Sequence, residues 1–135
     1  MRPICIITGA SHGIGAATAR LFASEGYDIC ISYLSDDAAA AEVVVACEGQ
    51  GARAIAVRGN VGNRDDVLDL FAQCDARLGR VSCLINNAGI IGKAGKLLDL
   101  EPEALERTFQ INVFGLVYCI QEATKRMSTR QGGTG

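Results

Sequence analysis

Three glycines stand close together near the start of the chain, Gly9, Gly13 and Gly15, in the stretch T-G-A-S-H-G-I-G. They follow the apolar run P-I-C-I-I and open a segment of helical period. Glycines in this setting suit the cradling of a phosphate. At a helix N-terminus the backbone N–H groups lack intrahelical partners and the positive end of the helix dipole points outward, so a pyrophosphate is favoured there. Gly9 can supply a tight turn, Gly13 a point where the backbone approaches the ligand, and Gly15 close packing of helix on strand. Thr8 and Ser11 can tie the loop through their hydroxyls. The spacing G-x-x-x-G-x-G differs from the G-x-G-x-x-G of many dinucleotide folds, and no Gly-Lys-Ser/Thr of a P-loop follows. A plain glycine turn between strand and helix is the competing reading.

A second group of polar residues, Asn86 and Asn87, sits in L-I-N-N-A-G-I (84–90). One or both could meet a ligand. The competing reading, for one of the two, is a polar strand end that satisfies loop backbone groups. The single histidine, His12, has no clustered Cys or carboxylate partners, so no metal site is expected.

These residues need elements to position them. The runs P-I-C-I-I-T (3–8), D-I-C-I-S-Y (28–33), R-A-I-A-V-R (53–58) and S-C-L-I-N-N (82–87) read as strands. Three are nearly continuous apolar runs, as in strands buried on both faces of a parallel sheet. R-A-I-A-V-R alternates and fits a sheet edge. Between them lie segments of helical period. The first has Ile14, Ala17, Leu21 and Phe22 near one face and stops at Gly26. The third has Val67, Leu70, Phe71, Cys74 and Leu78 on one face and stops at Gly79. A long fourth helix has Pro102 in its first turn and Gly115 interrupting its middle. Strands alternating with helices imply right-handed βαβ units in one parallel sheet. With strand order 3-2-1-4, the ligand crevice lies between strands one and four, and the glycine loop and N-N-A-G flank it.

Composition narrows the function classes. Thirteen Lys and Arg against fifteen Asp and Glu give a net charge of −2, with no block of like charge. Neither a nucleic-acid partner nor a membrane patch is expected. No apolar run approaches the ~18 residues of a spanning helix, and the start does not read as a signal peptide, so the expected location is cytoplasmic. Six cysteines without a C-x-x-C pair read as reduced structural thiols, with Cys5, Cys30 and Cys83 inside apolar runs.

Taken together, T-G-x-x-x-G-x-G and N-N-A-G resemble the motif pair of the short-chain dehydrogenase/reductase family, and the likeness runs through the whole chain. It implies an α/β fold, a Rossmann-type doubly wound parallel sheet. Residues 1–135 are then expected to form the dinucleotide-binding domain, truncated to four strands in the order 3-2-1-4, with the C-terminal catalytic half absent. The resemblance implies that Gly9, Ser11, His12, Gly13, Ile14 and Gly15, with Asn87, Ala88 and Gly89, bind the cofactor. G-N-V (59–61) resembles the family's adenine contact, which implies that Asn60 holds the ring and Val61 packs beside it. I-N-V-F-G (111–115) resembles the family's N-V-x-G helix. It implies a catalytic role for Asn112, kinking the helix and freeing a carbonyl to hold a relay water, with Gly115 consistent with a disturbed helix.

The family's NAD enzymes carry an Asp at the end of the second strand, where this chain has Tyr33. No carboxylate follows until Asp36, and Ser35, Ser11 and a protonated His12 could meet a 2′-phosphate. NADP(H) is therefore the expected cofactor, with NAD(H) as the alternative. The implied reaction is hydride transfer between NADP(H) and a small-molecule alcohol or carbonyl substrate. The family uses a Ser and a Tyr-x-x-x-Lys for the proton. Here Tyr27, Tyr33 and Tyr118 lack a Lys four residues on, so the 135-residue chain alone is expected to be inactive. The alternative is a non-catalytic dinucleotide-binding or interaction module, which would have no need of Asn112. An exposed fourth-strand edge and apolar Leu116, Val117 and Ile120 predict a homo-oligomer.

Overall fold

The computed structural model describes residues 1–135. Strand β1 (Ile4–Ile7) is followed by helix α1 (Gly13–Ser24), β2 (Asp28–Tyr33), α2 (Asp37–Glu48), β3 (Ala54–Arg58), α3 (Arg64–Arg77) and β4 (Cys83–Ile85). The four strands are parallel in the order β3-β2-β1-β4. This is the doubly wound arrangement expected, with the alternating run β3 at one edge. Strand β1 is apolar throughout and β2 nearly so between its polar ends, Asp28 and Ser32–Tyr33, because both faces are covered. Cys5, Ile7, Ile29 and Ile31 pack with α1 and α2 on one face. Ile4, Ile6, Cys30, Ile55 and Val57 pack with α3 and the last helix on the other. Val67, Leu70, Phe71, Cys74 and Leu78 all turn into that second core, as their spacing predicts.

Helix α1 departs from the expected face. Its buried residues are Gly15, Ala16, Ala19 and Ala23, while Ile14 is 79% and Leu21 58% exposed. The helix lies so close to the sheet that its contact stripe is built of small side chains, and the larger ones are displaced toward solvent. Cys83 also departs: it is half-buried, since β4 is an edge strand, whereas the other five cysteines are buried. All six are free thiols, and burial pushes that of Cys119 up to about 12.

The expected long helix has three parts. Helix α4 (Pro102–Phe109) and helix α5 (Gly115–Met127) are joined by one wider, π-type turn over Gln110–Phe114. Gly115 does not interrupt the helix, because its backbone is helical at φ −59°, ψ −41°. Its role is clearance. A Cβ at Gly115 would lie 2.8 Å from the carbonyl oxygen of Val61, so α5 approaches the β3–α3 loop along a side-chain-free patch. The disturbance sits before the glycine, around Asn112, and single π-turns of this kind recur at functional sites. After α5, Arg80 donates to the carbonyls of Arg126 and Gln131 and fastens the short turn Thr129–Gln131.

Candidate functional site

The glycine loop runs from the end of β1 into α1. Gly9 and Gly13 have φ +62° and +56°, values that favour glycine, and each does a different job. A Cβ on Gly9 would stand 2.8 Å from Cα of Ala88, so the first turn is pressed against the loop after β4. A Cβ on Gly13 would meet nothing within 4 Å, so this backbone faces open space. Gly15 is the tightest: a Cβ there would lie 2.5 Å from Nδ2 of Asn87 and 2.8 Å from the Gly9 carbonyl oxygen.

Neutral side chains fasten the loops around these glycines. The Asn87 amide donates to the carbonyls of Thr8 and Gly9, both at 3.0 Å. The Thr8 hydroxyl, almost fully buried, accepts from the backbone N–H groups of Asn87 and Ala88 at 3.1 and 3.0 Å. Ser32 on β2 accepts from the Gly9 N–H at 3.2 Å, and its carbonyl accepts from Ala10. Thr8 therefore ties the glycine loop to the β4 loop as the sequence suggested, while Ser32 supplies a tie that no motif in the sequence marks.

The N-terminus of α1 differs from its neighbours. Asp36 caps α2 by accepting from the Ala39 N–H, and Asn63 caps α3 by accepting from Asp65 and Asp66. His12 stands at the same position of α1 and makes no cap. The N–H groups of that first turn have no intrahelical acceptors either. An uncapped helix start beside the open space at Gly13 fits a pyrophosphate.

A cleft of about 240 Å³ opens at the carboxyl ends of the strands. It brings together Gly9, Ser11, Tyr33, Asn60, Val61, Asn87, Ala88 and Gly89 of the expected residues. It adds Gly59, Ile90 and Ile111, which lie in the motif stretches without an assigned role, and Ser32 and Leu34, which no motif marks. His12, Gly13, Ile14, Gly15 and Ser35 lie outside its lining, with Ile14 turned to solvent. The Asn60 side chain accepts from the Gly62 N–H at 2.8 Å and so shapes its own loop. The Tyr33 hydroxyl donates to Asp37 at 2.7 Å, and this bond to a carboxylate pushes the phenol's pKa up.

Asn112 sits behind the cleft in the π-type turn. Its amide clamps the backbone of Ile90 from both sides: Nδ2 donates to the Ile90 carbonyl at 2.7 Å and Oδ1 accepts from the Ile90 N–H at 2.8 Å. Gly89 lies against it, and a Cβ there would be 3.4 Å from Asn112 Oδ1. Asn112 thus fixes the path of the chain as it leaves the N-A-G stretch. Gln110, in the same turn, donates to the Gly62 carbonyl and ties the turn to the β3–α3 loop.

A family model described as short chain dehydrogenase matches residues 3–134. The chain belongs to the short-chain dehydrogenase family. Among its relatives is an uncharacterized oxidoreductase, YgfF, of Escherichia coli, 35% identical over 98% of this chain and 53% of that one. The L-rhamnose 1-dehydrogenase (NAD(P)(+)) of a Sphingomonas species is 38% identical over 96% of this chain and 50% of that one. The 3-oxoacyl-[acyl-carrier-protein] reductase FabG of Staphylococcus epidermidis is 31% identical, covering 98% and 54%. A solved short-chain dehydrogenase/reductase of Serratia marcescens, a double mutant, superposes with a TM-score of 0.88 at 27% identity, over 93% of this chain and 51% of that one. This short-chain dehydrogenase chain thus spans about half the length of the curated relatives it matches. Members of the family work with a nicotinamide dinucleotide, and the uncapped α1 start and glycine cradle fit one. No helix of the chain is long and apolar enough to cross a membrane.

Proposed function

We propose that this chain is the cofactor-binding part of an oxidoreductase that moves hydride between a nicotinamide dinucleotide and a small alcohol or carbonyl compound. The observation that carries the reading is the uncapped N-terminus of α1, which opens beside a cleft whose walls are glycine-loop and N-A-G residues. Gly9, Ser11, His12, Gly13, Ile14 and Gly15 would hold the pyrophosphate side. Asn60 and Val61 would meet the adenine, and Tyr33 and Ser35 would border its ribose. Asn87, Ala88 and Gly89 would line the path toward the nicotinamide. The cofactor, when bound, supplies or accepts the hydride. The protein supplies fixed dipoles, a floor that excludes water, and loops held in register.

Asn112 acts on this reading as a positioning residue, through its clamp on Ile90. The wider turn around it also supports the relay role that the family resemblance implies, with a backbone carbonyl holding a water. We take NADP(H) as the favoured cofactor and NAD(H) as the alternative, because β2 ends on Tyr33, whose hydroxyl is bound to Asp37 rather than free for a ribose. The location proposed is the cytoplasm. A homo-oligomer is proposed on the apolar side chains Leu105, Phe109, Val113, Leu116, Val117 and Ile120, each between 40% and 52% exposed along one helical rod.

Calorimetric titration of the chain with NADPH tests the reading. Saturable binding at one site per chain, competed by NADP+, is the expected result. Heat no greater than dilution up to millimolar ligand would remove it.

A further inference from the structure

Three consecutive residues of the π-type turn serve three parts of the cleft. Ile111 is buried and lines the cleft itself. Its two neighbours project roughly 100° away from it around the helix axis, in opposite senses. Asn112, on one side, holds Ile90 at the end of the N-A-G wall. Gln110, on the other, reaches the β3–α3 loop, where its Nε2 donates to the Gly62 carbonyl at 2.6 Å.

The β3–α3 loop presents Gly59, Asn60 and Val61 to the cleft. Its two glycines, Gly59 and Gly62, leave the free backbone many alternative conformations. The start of the loop is held to β2 by the Gly59 N–H, which donates to the Tyr33 carbonyl at 2.9 Å. The Asn60 N–H donates to Asp66 of α3 at 2.8 Å, and the Asn60 side-chain oxygen accepts from the Gly62 N–H at 2.8 Å. The Asn60 side chain is therefore only as well placed as the Gly62 peptide. Gln110 grips the carbonyl of that same residue, and the contact is close. A Cβ on Gly62 would lie 3.1 Å from both Cγ and the carbonyl oxygen of Gln110. Gln110 is half-buried, which shields its bond from competing water.

We propose that Gln110 is a positioning residue for the adenosine half of the dinucleotide. It lies outside the cleft lining and acts through Gly62. By fixing Gly62 it holds the Asn60 side chain in one arrangement before the ligand arrives, so that binding need not order the loop. Gln110 and Asn112 then make the π-type turn a two-armed brace, with one arm on each wall of the cleft. The inference rests on the dinucleotide reading and adds a residue that sets affinity for one half of the ligand.

The test is calorimetric titration of the chain with NADPH and with adenosine 2′,5′-diphosphate, which carries the adenosine half alone. Gln110→Met keeps the length of the side chain and removes the donor. It should weaken both ligands by the same factor, about twofold to tenfold. Gln110→Glu keeps the shape but sets an acceptor against the Gly62 carbonyl, and should weaken both further. A side chain that merely filled space would tolerate either change. Asn112→Ala, the other arm, should weaken NADPH more than adenosine 2′,5′-diphosphate. In the ligand-free chain, hydrogen exchange at the amides of residues 60–63 should accelerate in Gln110→Met by more than exchange at β1. Wild-type affinities in both Gln110 variants overturn the proposal. So does a loss for NADPH that adenosine 2′,5′-diphosphate does not share, and so does unaltered exchange at residues 60–63. A wild-type chain that binds neither ligand overturns the dinucleotide reading itself, while the exchange data still report whether Gln110 holds the loop.

Discussion

At the amino ends of the strands the chain is fastened by charge. Asp28, buried at the start of β2, meets Arg53 at 2.6 Å and Arg2 at 3.4 Å, and also accepts from the Arg53 N–H. Nearby, Glu122 of α5 is paired with Lys125 and Arg126, and Arg126 reaches Asp75 on α3 and lies over the Phe71 ring. At the carboxyl ends the inner loops are fastened by Thr8, Ser32, Asn87 and Asn112, all neutral, and every bond they make there is to backbone. On the proposed function, the difference follows from what each end must face. A buried carboxylate beside the glycine loop would repel a pyrophosphate, and a buried cation would compete with the helix dipole for it. Amide and hydroxyl dipoles hold loops in register without adding net charge. The amino ends lie away from the proposed cofactor site and can use ionic staples.

The sharpest way to break this comparison is at Gly15. A Gly15→Val chain must displace Asn87 and the Gly9 carbonyl together, so NADPH affinity should drop at least about a hundredfold, read by calorimetry. Retained affinity would show that the neutral ties are incidental. Next is Asp28→Ala, which leaves the Arg53 N–H and two guanidinium groups without their acceptor. Urea unfolding should show a loss of about 2–3 kcal/mol, with the NADPH dissociation constant of the folded chain unchanged. A matching loss of affinity would mean that the two ends are not separate.

Asn112→Ala removes both bonds to Ile90 and should cost about 1–2 kcal/mol of stability. Its distinguishing signature is at the cleft: hydrogen exchange at the Ile90 amide should accelerate while amides of β2 do not change. The smallest expected effect is the pH response of Glu122. Burial pushes this carboxyl up, but the hydrogen bonds and charges of Lys125 and Arg126 outweigh it and hold the pKa below the ordinary value. The contribution of Glu122 is therefore fully present above the unfolded-state pKa and is lost as pH falls through the lower, folded one. Glu122→Gln should flatten the acid limb of a stability–pH curve, and an unaltered limb would remove Glu122 from the staple.

The sheet was legible because burial on both faces leaves a plain mark, as in I-C-I-I and D-I-C-I-S-Y, and because parallel connections restrict the order of strands. The stripe of α3 was legible for a similar reason, since large apolar side chains carry it. The stripe of α1 was not, because contact made through Ala16, Ala19 and Ala23 leaves Ile14 and Leu21 as misleading signals. At the cleft, Gly9, Asn87 and their partners could be read from the spacing of two motifs. The Ser32 tie and the Asn112 clamp on Ile90 could not, because these groups meet only after separate loops have folded together. Gly115 was visible but misinterpreted: a helical glycine looks like a weakness in one dimension and is a clearance in three.

That clearance has a mechanical consequence. With no side chain at Gly115, α5 rests directly on the Val61 carbonyl, and Val61 is also part of the cleft wall. The same rigid segment carries Asn112 one turn earlier and, through it, the chain at Ile90. Position 115 thus works as a fulcrum, where one added methyl group would lever the helix outward and be felt on both sides of the cleft. In a library of variants selected for cofactor binding, intolerance at Gly115 would report on spacing rather than on contact with the ligand.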